Sequence, residues 1–412
     1  MTGAIIQRLR WSDPVLREIG FPGATMTLRY GFGSGLAVRP GDPPGRVWAV
    51  GDRGPNIKVE DAISRYGLNH LEPLAKLSGA KIMPLLEAGP ALAELQVTEH
   101  GVELLRILPL TLADGRVITG LPNPASDNLL SEPVFDSAGV PILPDPEGLD
   151  TEGLVAMADG SFWVGDEFGP SLVRFDANGA LLKRLLPRTL HTMDCPETLP
   201  AIAAKRQINR GFEALAISAD EQHLFLSFQS PLAHPDEATH RLARHVRIWR
   251  LDAETGAAIS QYAYPLDPPK TFARDVAAGP FGWADIKVSE LLCLPGDVLL
   301  VLERGSATTK IYRCAFNAGA LDNVHWSVAN RPTLEELSAD GGMSTLPVLA
   351  KELIFSSDDH PEISPDLEGM ALLSSSELLL VNDNDFGVLG IETAFWRISL
   401  PKCVTDVGAE AR

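Results

Sequence analysis

Cysteine is scarce in this sequence, and the four that occur are far apart. They are Cys195, Cys293, Cys314 and Cys403, so the chain contains no CxxC pair. A zinc site built on closely spaced thiolates is therefore not indicated. Because free cysteine is among the most frequently buried residue types, we expect four buried free thiols, with a disulfide between two of them as the alternative.

Positive charge is also scarce. Lys and Arg together number 35 against 54 Asp and Glu, which gives a net charge of −19, and no basic block occurs along the chain. An acidic surface of this kind argues against nucleic acid and anionic membranes as partners. Where the carboxylates converge, the same charge favours the binding of a cation.

Long apolar runs are missing as well. No run reaches the length of a transmembrane helix, and the first ten residues lack the apolar core of a signal peptide. We therefore expect no transmembrane segment. The expected compartment is the cytoplasm for the chain as it stands, and the periplasm or the exterior if a signal has been removed.

Several familiar catalytic motifs do not occur. The sequence has no GxSxG elbow, no HExxH pair and no P-loop, and the glycine-rich segment Gly31–Gly35 does not open a helix. One insertion is rich in His and Arg, and its Arg244 is a candidate substrate contact. Any hydrolytic chemistry must therefore come from other residue types.

The most informative stretch is Asp145–Gly169, which reads as two short strands joined by a turn at Asp159-Gly160. Acidic residues flank both of its open ends, namely Glu147, Asp150, Glu152, Asp166 and Glu167. Antiparallel pairing brings the start of the first strand beside the end of the second. We therefore expect these acids to meet at one edge of one sheet.

The same pattern recurs along the chain. Five copies of an antiparallel meander are visible, and their first strands begin near Gly35, Glu152, Phe212, Ser289 and Leu367. Radial repetition of such sheets predicts an all-β fold, a single β-propeller domain over residues 1–412 with five or six four-stranded blades. Long insertions separate the strands at 55–92, 109–146, 187–210 and 265–288. A strand at about residues 4–11 is expected to complete the last blade and close the ring.

Acids recur at equivalent places in these copies. Four glutamates open the first strands and form the predicted catalytic set: Glu152, Glu213, Glu290 and Glu368. The predicted metal ligands lie around the hairpin ends: Asp52, Glu147, Asp166, Glu167, Glu303, Asp383 and Asp385. If the innermost strands line a channel, these carboxylates converge at one mouth, where their repulsion favours a divalent cation, Ca²⁺ first and Mg²⁺ second.

Two arginines, Arg53 and Arg304, directly follow acids at equivalent positions, and we predict that they bind an anionic group of the substrate. The alternative is structural, because acids at strand ends also hydrogen-bond neighbouring backbone and connect blades. Trp163 and Trp249 lie within apolar strands, which predicts core positions rather than substrate contacts.

Several of these motifs resemble one known family. The resemblance rests on the segments Asp145–Leu154, Phe162–Pro170, Asn209–Leu215, Leu300–Arg304 and Asp366–Met370, together with Gly120–Pro124, and it covers roughly residues 25–400. The sequence is similar to the family called esterase-like activity of phytase. That resemblance implies a β-propeller with hydrolytic activity on esters or phosphoesters, without naming a substrate.

We therefore predict a hydrolase of a small-molecule ester or phosphoester, with a divalent metal at one mouth of the channel. Two alternatives stay open. One is a non-catalytic propeller that binds a ligand or a protein, and the other is a calcium-dependent enzyme of the lactonase type.

Overall fold

A computed structural model describes residues 3–126, 129–188, 198–316 and 319–405. Within these ranges the chain is mostly β and has few helices. It forms seven sheets, five large ones with four or five strands and two small ones, and almost all of the strand pairings are antiparallel. Short apolar runs that end at Gly, Asn or Asp turns account for this composition. Among the described residues, no helix combines the length and the apolar character needed to cross a membrane.

The N-terminal region contributes a first strand, a separate hairpin and one four-stranded sheet with an insertion. Its elements in chain order are β1 (Ile5–Leu9), β2 (Val15–Gly20), β3 (Thr25–Arg29), β4 (Gly35–Ala37), β5 (Arg46–Val50), β6 (Ile57–Lys58), α1 (Val59–Tyr66), β7 (Lys81–Ile82), β8 (Ala91–Val97), β9 (Val102–Pro109) and β10 (Val134–Phe135). Strands β4, β5, β8 and β9 form the first large sheet, whereas β6, β7 and β10 form a small one.

Two further sheets follow. The second sheet contains β11 (Thr151–Ala156), β12 (Phe162–Asp166), β13 (Leu172–Phe175), β14 (Leu181–Pro187) and β15 (Thr198–Leu199). The third sheet and its insertion contain β16 (Phe212–Ile217), β17 (His223–Phe228), α2 (Glu237–Leu242), β18 (His245–Asp252) and β19 (Ala258–Pro265).

The last two sheets complete the chain. The fourth, with its flanking helices, contains α3 (Ala273–Ala278), β20 (Lys287–Leu294), β21 (Val298–Arg304), β22 (Thr309–Ala315), α4 (Leu334–Asp340) and β23 (Ala350–Ser356). The fifth contains β24 (Leu367–Ser374), β25 (Glu377–Asn382) and β26 (Phe395–Ser399). Short 3-10 helices occupy Asn69–Lys76, Ala201–Lys205, Pro269–Thr271, Trp283–Asp285, Asn323–Trp326, Gly342–Thr345, Ser357–Asp359 and Asp385–Gly387.

The first strands of the five large sheets lie against one another. Strand β4 contacts β11, β11 contacts β16, β16 contacts β20, β20 contacts β24, and β24 contacts β4. The approach is close enough that a Cβ on Gly153 would lie 2.6 Å from the carbonyl oxygen of Glu213 on the neighbouring strand. The glycine after Glu152 is therefore required by backbone packing.

The two ends of the chain meet in the fifth sheet. Strand β1 pairs with β26 in an antiparallel register that places Leu9 opposite Phe395. The N-terminal strand thus gives this sheet its fourth member, and Leu9 is 2% exposed.

Both tryptophans expected in the core are there. Trp163 and Trp249 have no exposed surface, Trp163 donates to the carbonyl oxygen of Ala253, and Trp249 packs against Phe212 and Phe228. The prediction that both are core residues is confirmed.

The expectation of buried thiols is only partly right. Cys314 is buried, but Cys293 and Cys403 are half-buried. Cys293 lies near the end of β20, and Cys403 follows the last strand, where less protein covers the chain. Cys195 lies outside the described residues.

Three features were not anticipated from the sequence. The hairpin β2–β3 forms its own small sheet. Strand β23 completes the fourth sheet only after the insertion 316–349. The segment 265–288, expected to be a loop, contains α3.

The pairing of β1 can be tested by substituting two residues of the same strand. Leu9→Ala removes a core side chain, and we expect a loss of about 2–5 kcal/mol in the free energy of unfolding, measured by urea denaturation. Ile5→Ala is the matched control, because Ile5 is 70% exposed, and its effect should stay within about 0.5 kcal/mol. Equal effects of the two substitutions would contradict the placement of β1.

Candidate functional site

We call the first strands of the five large sheets, β4, β11, β16, β20 and β24, the inner strands. Seven carboxylates come together at one end of these inner strands, and we call them the acidic cluster. They form three overlapping groups, and within each group one side-chain oxygen per residue lies within 4.8 Å of the others: Asp52, Asp150 and Glu152; Asp52, Asp383 and Asp385; and Glu152, Glu167 and Glu213. Asp52 and Glu152 each belong to two groups, so the cluster is continuous.

The cluster is assembled from hairpin ends. Asp52, Glu167 and Asp383 directly follow or closely follow second strands, whereas Glu152 and Glu213 lie in first strands. The pairing of β16 with β17 shifts register around Glu213, and a similar shift occurs between Thr151 and Leu154. Such β-bulges redirect a side chain out of the regular alternation, and here they turn the glutamates toward the cluster.

Asp150 is held in place by its own segment. The side-chain amide of Asn123 donates to the carbonyl oxygens of Asp145 and Gly148, and the hydroxyl of Thr151 donates to Gly51. The same segment contains Gly120, where no larger residue fits, because a Cβ on Gly120 would lie 1.6 Å from the carbonyl oxygen of Arg53. This segment therefore packs directly against the backbone of Arg53.

Burial and mutual repulsion act together on these groups. The pKa values of Glu152 and Glu167 are raised well above their ordinary value, first by burial and then by the charge of Glu213. Burial also raises the pKa of Asp150, although Arg53 opposes the shift. Each shift disfavours the ionised form of the carboxyl group, and positive charge placed among them would oppose it.

Some cluster oxygens have no hydrogen-bond donor. Within the described residues, Oδ1 of Asp150, Oε1 of Glu167 and Oε2 of Glu213 accept no hydrogen bond, whereas Oδ2 of Asp150 is paired with Nη2 of Arg53 at 2.6 Å. Buried carboxylate oxygens are normally satisfied. Oxygens contributed by several loops are the ligands that Ca²⁺ and Mg²⁺ prefer, so this donor set fits a hard divalent cation.

The two predicted substrate-binding arginines are already engaged by the chain. Arg53, 4% exposed, pairs with Glu132 at 2.5 Å and with Asp150 at 2.6 Å. Arg304 pairs with Asp366 at 2.9 Å and with Glu368. Both guanidinium groups therefore balance the carboxylates of the site instead of lying open to a ligand.

Two predicted site acids lie elsewhere because of register. The bulge in β20 falls between Val288 and Glu290, so Ser289 occupies the place that Glu213 has in β16. Glu290 is fully buried and accepts the backbone N–H groups of Leu36, Leu291 and Met370, which connects β4, β20 and β24.

Glu303 precedes Arg304 and therefore projects from the opposite face of β21. It is fully buried, 2.6 Å from the ammonium of Lys351, and accepts the hydroxyl of Tyr264.

Three other candidates also lie apart from the acidic cluster. Asp166 accepts N–H groups of Asp150 and Phe168, the hydroxyl of Ser171 and a guanidinium N–H of Arg184. Glu147 is exposed, as is Arg244, which stacks on Trp283.

A cleft of about 450 Å³ opens above part of the cluster. It is lined by Glu368, Asp383 and Asp385, and also by Lys81, Lys287 and Arg304. Burial raises the pKa of Glu368 to about 7, although the charges of Arg304 and Lys287 oppose this shift.

The sequence analysis expected Asp150 at this edge of the sheet without giving it a role in the site, and it did not select Lys81 or Lys287. The two-residue spacing of Asp150 and Glu152 places them on one side of an extended chain, which is the signal that would have identified Asp150.

Unusual backbone conformations occur in this cleft. Asp366, which accepts from Arg304, and Asp385 both line the cleft and have positive φ, as does Phe386 beside Asp385. Asn209, which accepts from Arg53 away from the cleft, also has positive φ. Asn and Asp tolerate this conformation, but Phe does so at a cost. Such residues concentrate at functional sites, which supports this cleft as the candidate site.

Comparisons with known proteins point to one family. The Phytase-like family, described as esterase-like activity of phytase, matches residues 29–386. A curated protein of Arthroderma benhamiae, named an uncharacterized secreted protein, is 29% identical over 265 residues. That alignment covers 54% of this chain and only 48% of the relative.

Solved structures resemble the chain only distantly. A calcium-binding regucalcin from Agrobacterium tumefaciens is 12% identical, with 96% of this chain and 97% of that chain covered and a TM-score of 0.36. A putative gluconolactonase is 10% identical, with 97% and 93% covered and the same TM-score of 0.36. Scores of this size do not establish a shared activity.

The charge balance of the cluster gives a testable stability effect. Thermal unfolding of the wild type should shift upward with Ca²⁺ or Mg²⁺ relative to chelator, because a cation held at a hundredfold excess over its Kd adds about 2.7 kcal/mol to the native state. Replacing Glu152 and Glu213 together by Gln removes two like charges, so the cation-free protein should gain stability while the cation-dependent shift shrinks.

Asp166→Asn serves as the matched control, since Asp166 is equally buried but fully hydrogen-bonded. It should lower stability with and without cation and keep the cation-dependent shift. If chelator leaves the wild type unchanged and the double variant unfolds earlier in both conditions, the cluster is a set of structural acids.

Proposed function

The chain belongs to the Phytase-like family, and from this we propose that it hydrolyses ester or phosphoester bonds with a divalent cation held at the acidic cluster. The observation that carries the proposal is that two buried cluster oxygens, Oε1 of Glu167 and Oε2 of Glu213, have no hydrogen-bond donor among the residues that the structure describes. A protein that only needed these acids to connect its sheets would pair them with donors.

We also propose that the five large sheets are the blades of one five-bladed β-propeller, with β1 closing the ring. The contacts among the five first strands support this arrangement, and so does the pairing of β1 with β26. The acidic cluster would then occupy one mouth of the central channel, where it is open to a small substrate.

Different carboxylates take different roles in this proposal. Asp52, Glu152, Glu167, Glu213, Asp383 and Asp385 hold the cation, Ca²⁺ or Mg²⁺. When bound, such a cation polarises an ester or phosphoryl oxygen. Arg53 offsets the charge of Asp150 and keeps the buried acids in place.

Glu368 is the proposed general base. It lines the cleft, and Arg304 fixes its position. With a pKa near 7, it can accept a proton from water at neutral pH and return it to the leaving group. Glu290 has no part in this chemistry, because its oxygens accept backbone N–H groups.

One observation favours a structural role for one of the four predicted catalytic glutamates. The hydrogen bonds of Glu290 to backbone groups of three inner strands are those of a residue that connects sheets. They apply to Glu290 alone and leave the acidic cluster unexplained.

Turnover of aryl esters, aryl phosphates and lactones, each with Ca²⁺, Mg²⁺ or chelator, tests the function directly. Hydrolysis that chelator abolishes is the expected result, and preference for lactones would favour the lactonase type. No turnover of any compound with either cation would favour the binding-protein alternative.

Glu368→Gln should lower kcat about 10²- to 10⁴-fold, the usual contribution of a general base, without changing the cation-dependent shift in thermal unfolding. Asp366→Asn is the matched control, because Asp366 pairs with the same guanidinium group and lines the same cleft. It should retain most of the activity. Equal losses of activity in the two variants would mean that Glu368 acts only through its ion pair with Arg304 and is not the general base.

A further inference from the structure

Lys287 is the first residue of β20 and borders the cleft beside Arg304, its cross-strand partner. Ser289, at the bulge two residues on, donates to Glu213 and accepts from Arg304. Glu368, Asp383 and Asp385 line the same cleft, so Lys287 lies beside the carboxylates of the site.

Among the described residues, the ammonium group of Lys287 makes no hydrogen bond and has no carboxylate oxygen within 4.0 Å, whereas both arginines of the site are paired. Its pKa is lowered, first by the nearby charge of Arg304 and then by burial. Glu368 and Glu213 offset part of this effect from a distance, but neither forms a direct ion pair with Lys287, so its ammonium group is available to a ligand.

Lys81 stands in a similar position across the cleft. Its ammonium donates to the side-chain oxygen of Asn56 at 3.0 Å and forms no ion pair among the described residues. Burial and the charge of Arg53 lower its pKa. Two ammonium groups without ion pairs thus border the same cleft as Glu368 and Asp383.

We propose that Lys287, assisted by Lys81, binds a compact oxyanion carried by the substrate, a phosphate or a carboxylate, beside the bond that is cleaved. This inference rests on the proposed function and names its substrate class. Lysine suits the task because its ammonium is a mobile point charge with three donors. The acids would hold the cation on one side of the substrate, and the two lysines would neutralise its anionic group on the other.

The competing explanation is that Lys287 serves only as a distant counter-charge for Glu213 and Glu368, both of which raise its pKa. A counter-charge would stabilise the cluster without preferring any substrate. Anion binding and selectivity between charged and neutral substrates therefore separate the two explanations.

Binding is tested by calorimetric titration of the Mg²⁺-loaded protein with inorganic phosphate and, separately, with succinate, which shows which oxyanion is preferred. Lys287→Met should weaken binding of the preferred anion about tenfold to hundredfold, the effect of losing one charge-assisted hydrogen bond. Lys58→Met is the matched control, because Lys58 lies on the rim of the same cleft but is exposed, and it should leave the affinity unchanged. Lys287→Arg should restore most of it.

A second measurement uses neutral 4-nitrophenyl acetate against anionic 4-nitrophenyl succinate and 4-nitrophenyl phosphate. Lys287→Met should lower kcat/KM for the preferred anionic compound about tenfold and leave that for the neutral ester nearly unchanged. If Lys287→Met does not fold, Lys81→Met carries the same comparison, with Lys287→Arg as the variant that keeps the charge.

The outcomes separate the inference from the proposed function. Anion binding that depends on Lys287 without turnover of any ester would support the inference and contradict the hydrolase. Turnover with equal losses for neutral and anionic compounds would overturn the inference and leave the hydrolase intact. Absence of anion binding to the wild type would also overturn it.

Discussion

The repulsion between buried carboxylates is the constraint on which the rest of this structure depends. Glu152, Glu167 and Glu213 lie within one another's reach in a part of the protein that water barely enters. Such an arrangement is unstable alone, because each charge raises the free energy of its neighbours. Several features hold these groups together. They are the ion pairs of Arg53 and Arg304, the shifted register of the inner strands, and the unusual backbone around Asp366 and Phe386.

The inner strands also separate two environments. At one end the strands carry the acidic cluster, whereas further along Leu36, Leu154, Leu215 and Leu291 line an apolar cavity of about 150 Å³. Glu290, with its oxygens on backbone N–H groups of β4 and β24, connects inner strands that carry both environments.

The sequence predicts which elements meet, but not every side chain that faces the site. Antiparallel pairing is enough to place Glu152 near Glu167, because both stand at the open end of one hairpin. A displacement of one residue is invisible in the pattern, and it sends Glu290 to backbone donors while Ser289 takes the place beside Glu213. Alternation likewise separates Glu303 from Arg304. Strand β23 was missed because its partner lies across the insertion 316–349, and sequence proximity gives no sign of that pairing.

The pairing of β1 with β26 has a consequence for biosynthesis. Leu9 leaves the ribosome 390 residues before Ser399, so at about 5–20 residues per second the first strand waits roughly 20–80 s for its partner. Strand β26 lies between β25 and β1, so the edge of β1 that it covers stays unpaired until β26 has been made. The fifth sheet can therefore be completed only when nearly the whole chain has been synthesised.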